Sequence, residues 1–335
     1  MAFTHYVGGN FRALFAEQTT WGTGYTDSST LQTIYTNDFA IEQQINFRNQ
    51  PFYHAQRYPL SADVTADKKG TISQVSFQTL ALYDQLDNWL YAVFQDVTES
   101  ADLGGGVYRK TFKFPNSQPD FTNNEGNFYS IWEKSPDAST SRKMIDAICS
   151  DLEISVKPET ENGLMLVKPT FIARELIVNS NPGSSINNAA IADNYNFFDI
   201  GTLTLNSTSI VCGGIIIKIS NGATPIGQDN GKVESFVLKR YNAEIDIDVL
   251  YSSDYRTLVG YAEAGTEFNF EFSWGSADTD GYLNITGTAK IAVGTKQNLK
   301  PDDSVWCPVK LMCCGEYSIT EPLQIIMCNN QDRGW

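Results

Sequence analysis

From Ala243 to Leu250 acids and apolar, mostly β-branched residues alternate, and from Glu267 to Trp274 the same alternation runs with aromatics as the apolar partner. Successive side chains of a strand point to opposite faces, so each stretch predicts a strand with one dry face and one wet face. The dry faces hold Ile245, Ile247 and Val249, then Phe268, Phe270, Phe272 and Trp274. The wet faces hold Glu244, Asp246 and Asp248, then Glu267, Asn269 and Glu271. Between the two, Ser253-Asp254 can cap a short helix that carries Tyr255, Leu258, Val259 and Ala262 on one side, and Gly265 stands where it should stop. The predicted unit is strand, short helix, strand, with a carboxylate-rich outer surface.

The same unit is legible earlier. Thr71 to Phe77 alternates as a strand, and Leu82, Leu86, Trp89, Leu90 and Val93 then recur at helical spacing. Tyr108, Phe112 and Phe114 follow in a third alternating run, with Arg109, Thr111 and Lys113 opposite. The two helical patterns begin about half a chain apart, the spacing that an internal duplication gives.

Around these units the pattern is mostly strand and turn. An apolar run ends at Gly22, residues 24–38 read as a loop or arm, and 39–69, interrupted by Pro51 and Pro59, reads as a long hairpin or excursion. Residues 101–106 form a glycine-rich turn and 116–125 a polar loop. Residues 149–157 and 163–171 predict a hairpin, and further strands fall at 201–205, 210–219, 233–240, 282–293 and 305–328. The stretch 179–185, rich in Asn, Ser, Pro and Gly, has the composition of a linker. The fold expected is mainly β: two tandem sandwich- or barrel-like domains, 1–178 and 193–335, joined by 179–192, each with a short flanking α-helix.

Composition narrows what such a chain can do. Its 335 residues exceed what one core usually organises, and its net charge of −15 repels a phosphate backbone. A firm grip on DNA is not expected, although keeping nucleic acid at a distance can itself be useful. No run approaches the roughly 20 apolar residues of a membrane span, and Met1 to Asn10 lacks the basic and apolar regions of a secretory signal. Cys149, Cys212, Cys307, Cys313, Cys314 and Cys328 lack the paired spacing of a zinc site, so buried free thiols are expected. His5 and His54 lie in polar stretches, and no nucleophile elbow, zinc-protease or dinucleotide signature is present. Asp278-Thr279-Asp280-Gly281 has part of a calcium-loop spacing without its downstream Glu, and predicts the turn between two strands. No catalysis, cofactor or metal is expected.

The opening Glu17-Gln18-Thr19-Thr20-Trp21-Gly22-Thr23, the repeated strand–helix–strand unit, and Met144 to Ile154 together resemble the tail tube proteins of long-tailed bacteriophages. The loops at 97–128 and 179–200 are longer than that family's pattern, and the cysteine-rich end has no counterpart in it. The resemblance implies a β-sandwich tube domain flanked by a helix, whose inner sheet joins those of its neighbours around a lumen. Two such domains in one chain imply a trimeric ring with pseudo-sixfold symmetry. Rings stacked in a virion tail would let DNA and a tape-measure protein pass without tight binding, after synthesis in the host cytoplasm.

Site candidates follow from charge. Acids at every second position of a strand repel their cross-strand neighbours by some tenths of a kcal/mol per pair, so a face kept acidic suggests a use for its field. This makes Glu244, Asp246, Asp248, Glu267 and Glu271 candidates for a lumen wall. Arg48, Arg57, Lys68 and Lys69 are candidates for contacts between rings, where an acidic tube needs basic patches. The alternative is a carbohydrate- or receptor-binding sandwich at a tail tip, motivated by 16 Tyr and 6 Trp. A third reading, an acidic hydrolase, would use Glu244 and Glu271.

Overall fold

The computed structural model describes residues 12–25, 31–36, 38–47, 68–97, 99–115, 117–136, 140–159, 161–178, 180, 182, 193–227, 232–292, 306–314 and 321–332. The first half runs β1 (Arg12–Glu17), β2 (Gln32–Ile34), β3 (Glu42–Phe47), β4 (Lys68–Ser76), β5 (Thr79–Leu80), α1 (Leu86–Phe94), β6 (Glu99–Gly104), β7 (Val107–Lys113), β8 (Tyr129–Lys134), β9 (Arg142–Val156) and β10 (Leu166–Val178). The second runs β11 (Ile200–Leu205), β12 (Thr208–Ser209), β13 (Cys212–Ser220), β14 (Thr224–Ile226), β15 (Ser235–Val237), β16 (Asn242–Leu250), α2 (Ser253–Ala264), β17 (Phe268–Trp274), β18 (Tyr282–Ile291), β19 (Trp306–Cys313) and β20 (Gln324–Asn329). The protein is mainly β, as its alternating patterns predict.

One topology occurs twice. β1 pairs with β2 and β8, and β8 with β9; in the same way β11 pairs with β12 and β17, and β17 with β18. β3 pairs with β4, β4 with β10 and β10 with β9; β13 pairs with β16, β16 with β19 and β19 with β18. A helix follows β4, after the short β5, and another follows β16. The strand pairing of the first half is thus repeated in the second, but the counterpart of β17 is β8 and not the third alternating run from Tyr108, which forms β7 and pairs with β6 and β20.

The two repeats are fused. β9 pairs with β13, from Val156 opposite Ile215 to Asp151 opposite Ser220. This makes one long sheet, β3–β4–β10–β9–β13–β16–β19, and Ala289 to Ile291 of β18 add a last segment beside β19. The Ala292 N–H continues that ladder to the Lys310 carbonyl at 2.8 Å. Every neighbour is antiparallel, so β13–β16–β19–β18 repeats β3–β4–β10–β9 in the same order and the same direction. A second layer runs β11–β17–β18–β20–β7–β6.

A single apolar cluster lies between these layers and takes side chains from both repeats, including Ile154, Ile217, Ile247, Phe270 and Ile325. Burying one such side chain contributes roughly 1.5–3 kcal/mol. α1 inserts Leu86, Trp89, Leu90, Val93 and Phe94 into it. The Trp89 ring sits 4.8 Å from Phe15 and 5.5 Å from Phe77. α2 buries Tyr255 and Leu258 on the side its pattern predicts. Its cap lies one residue earlier than expected, where Ser252 Oγ accepts from the Tyr255 N–H at 3.4 Å. Gly265 ends it at φ +62°.

Other differences concern extent. Residues 32–34, read as loop, form β2; residues 99–104, partly read as turn, form β6; and β8 carries no expectation at all. β9 and β10 extend the predicted hairpin at both its outer ends, and residues 233–240 give only the short β15 against β14. The 39–69 excursion is a hairpin in its arms, β3 against β4, while 48–67 lies outside the described residues. No helix among the described residues is long and apolar enough to cross a membrane.

Candidate functional site

The wet face of the long sheet is a polar surface that the strand register assembles from five strands. Lys168 of β10 stands opposite Glu153 of β9, Glu153 opposite Lys218 of β13, and Lys218 opposite Glu244 of β16. One row of alternating sign therefore crosses four strands. In the next row Asp246 stands opposite Lys310 of β19, and Thr170 and Asp151 form a further row beside Ser220. Diagonal ion pairs tie the rows together, Lys218 Nζ to Asp246 Oδ2 at 2.9 Å and Lys310 Nζ to Glu244. The hydrogen bond from Lys218 to Asp246, with the field of the neighbouring acids, raises the Lys218 ammonium above its ordinary range. Gln74, Ser76, Asp151, Glu153, Lys168 and Glu244 line a shallow polar depression across the middle of this face.

Glu244, Asp246 and Asp248 share that face, half-buried, while Ile245, Ile247 and Val249 point into the core. The like-charge cost expected for such a stripe is relieved within the chain, because the lysines of β10, β13 and β19 stand between the acids. Carboxylates still outnumber lysines there, since Asp151 and Glu153 join them. Glu267 and Glu271 are not on β16, and they separate from one another. Glu271 lies on the polar face of the second layer beside Thr204, Thr286 and Gln324, whereas Glu267 pairs at 3.1 Å with Lys290, which stands opposite Met312 in the row of Glu244. Glu271 and the acids of β16 thus belong to different layers, and Glu244 and Glu271 make no carboxylate pair. Of the basic candidates, Lys68 and Lys69 open β4, where Lys68 stands opposite Phe47. Arg48 and Arg57 lie outside the described residues.

Residues 275–281 make the turn predicted between two strands, with the Gly281 N–H bonded to the Cys328 carbonyl at 3.0 Å and Asp278 3.5 Å from Arg109. Among the described residues no group of His, Cys, Asp or Glu could hold a metal ion. All six cysteines are free; Cys149, Cys307 and Cys328 are buried and the others half-buried. Burial pushes the Cys313 thiol up to about 12 and the Cys212 thiol up to about 11, which keeps both protonated.

Two buried polar clusters escape the sequence reading. Asp146, inaccessible and at φ +52°, accepts from the Gly22 N–H at 3.0 Å, Gln18 Nε2 at 2.9 Å and Arg174 at 3.3 Å. It pins the Thr19–Gly22 turn to β9. Lys110 and Asp87 form a second cluster with Asn329, wholly inside the protein. A signal for Lys110 exists, because it has the parity of Tyr108 and Phe112 and so belongs to the apolar face of β7.

No protein-family model matches this chain, and no curated protein matches it.

Proposed function

We propose that the chain is a structural subunit that closes head-to-tail into rings, which stack as the tube of a bacteriophage tail. The observation that carries this reading is the four-strand repeat of the long sheet. The β9–β13 ladder inside the chain is an example of one repeat's last strand meeting the next repeat's first. Applied between chains, the same step brings the end of β18 to β3 of a neighbour. A head-to-tail contact of this kind makes a ring when its rotation closes, and it covers sheet edges that would otherwise invite uncontrolled pairing. Three chains with two repeats each would give a ring of pseudo-sixfold symmetry.

In this reading the wet face of the long sheet looks onto the lumen. Its excess of carboxylates keeps phosphate at a distance, so DNA and a tape-measure protein pass without being held. Exposed Met312 on β19, opposite Lys290 in the last segment of the sheet, adds apolar area near the junction. The sugar-platform alternative has less support, since Trp89, Trp132 and Trp274 are committed to the interior.

Negative-stain images and native mass spectra of the purified protein at high concentration test the proposal. Rings of three chains with a central hole, stacking into tubes, are expected. A chain that stays monomeric, and that binds on a glycan array, would replace this reading with the alternative.

A further inference from the structure

The cluster at Lys110 holds the parts of a covalent reaction. Lys110 on β7 and Asn329 on β20 are diagonal neighbours on one face of an antiparallel pair, since Tyr108 stands opposite Asn329 and Lys110 opposite Met327. Such neighbours lie within reach of long side chains. Lys110 Nζ donates to Asp87 Oδ2 of α1 at 2.6 Å, to Asn329 Oδ1 at 2.8 Å and to the Gln331 carbonyl at 2.7 Å. Asp87 and Asn329 are inaccessible and Lys110 is 1% exposed. Asn329 Oδ1 also accepts from the Gln331 N–H at 3.2 Å, and Asn329 Nδ2 donates to the Tyr83 carbonyl at 2.9 Å.

We propose that Lys110 and Asn329 join in an intramolecular amide bond between Nζ and Cγ, with Asp87 as the proton acceptor. Burial disfavours the separated ions, so transfer of one proton from the Lys110 ammonium to Asp87 yields a neutral amine held against the amide. Its lone pair forms the Nζ–Cγ bond, and the carbonyl electrons move onto Oδ1, where the Gln331 N–H meets the developing charge. Collapse breaks Cγ–Nδ2 and expels ammonia. Of the three hydrogens of the ammonium, one stays on the new amide, one leaves in the ammonia and one remains on Asp87. No oxidant, cofactor or second enzyme is needed. Fixed contact at hydrogen-bond distance supplies the proximity, and burial of Asn329 shields its carbonyl from hydrolysis.

The bond would tie β7, beside α1, to β20, the strand that pairs with β18 of the second repeat, and it does not depend on the ring assembly proposed above. Its test is the intact mass of the unfolded, reduced single chain. The expected value is below that of the sequence by one ammonia, and a proteolytic digest contains a branched peptide joining Lys110 to Asn329. Lys110→Arg should restore the full mass and run more slowly on a denaturing gel. Asp87→Asn, if it folds by circular dichroism, should also carry the full mass. Wild-type protein at full mass overturns the proposal. So does an ammonia deficit that maps only to an Asn-Gly sequence, where succinimide formation loses the same group. An Asp87→Asn chain that still yields the branched peptide overturns the role of Asp87.

Discussion

Asp146 shows how one buried carboxylate ties distant parts of the chain, and it makes a pH prediction. Burial raises its pKa above the ordinary carboxylate value, while the Gly22 N–H, Gln18 and Arg174 act in the opposite direction. A raised folded value means that its contribution to stability is full below the unfolded pKa and is lost as pH rises through the folded one. Urea unfolding of wild type and Asp146→Asn across about pH 3 to 6, where carboxylates titrate, checks this. The difference should shift in favour of the variant as pH rises; a constant difference would mean that Asp146 keeps its ordinary titration. Nothing local in the sequence announces this residue, because Gln18 is 128 positions away. Alternation, by contrast, assigns Ile245, Ile247, Val249 and Phe268 to the core from neighbours one and two places off, and all four are buried.

At the scale of elements, strands with strict period and helices with a one-sided apolar stripe are legible, because their own side chains dictate which face is dry. β8 is not legible: Tyr129, Ile131 and Trp132 are all buried, as is Ser130, so no wet face marks a period. The polar face of the long sheet was half legible. Its acids on β16 follow from alternation, but Lys168, Lys218 and Lys310 join them only through strand pairing across the whole chain. The β3–β4 hairpin carries the element-scale prediction. Its two arms are held by pairing from Glu42 opposite Gln74 to Phe47 opposite Lys68, and shortening the segment between them leaves that pairing in place. Deleting residues 48–58 should leave soluble rings that fail to stack, seen as single rings in negative stain. Tubes of normal length from that deletion would remove Arg48 and Arg57 from the contacts between rings.

For the whole molecule, the repeated sheet makes β3 and the end of β18 its outermost strands among the described residues, and the proposed ring requires β3 to be covered by a neighbour. Antiparallel pairing lets one test that edge without unfolding the subunit. Residues along β3 alternate between those whose N–H faces β4 and those whose N–H faces outward. Gln43 stands opposite Ser73 and Gln44 opposite Ile72, so one of these two glutamines donates inward and the other offers its N–H to a partner. Proline lacks that donor and is tolerated in a strand only where the N–H faces away from the ladder. Gln43→Pro and Gln44→Pro should therefore differ in stability, the inward substitution lowering the urea midpoint and the outward one leaving it close to wild type. The outward variant is the informative one. It keeps the fold, removes a single edge donor and places a ring where a neighbouring strand would lie. Native mass spectrometry should find it as folded single chains under conditions in which wild type forms rings. If the more stable variant still assembles with wild-type stoichiometry, β3 is not the joint between subunits, and the ring must close through another surface.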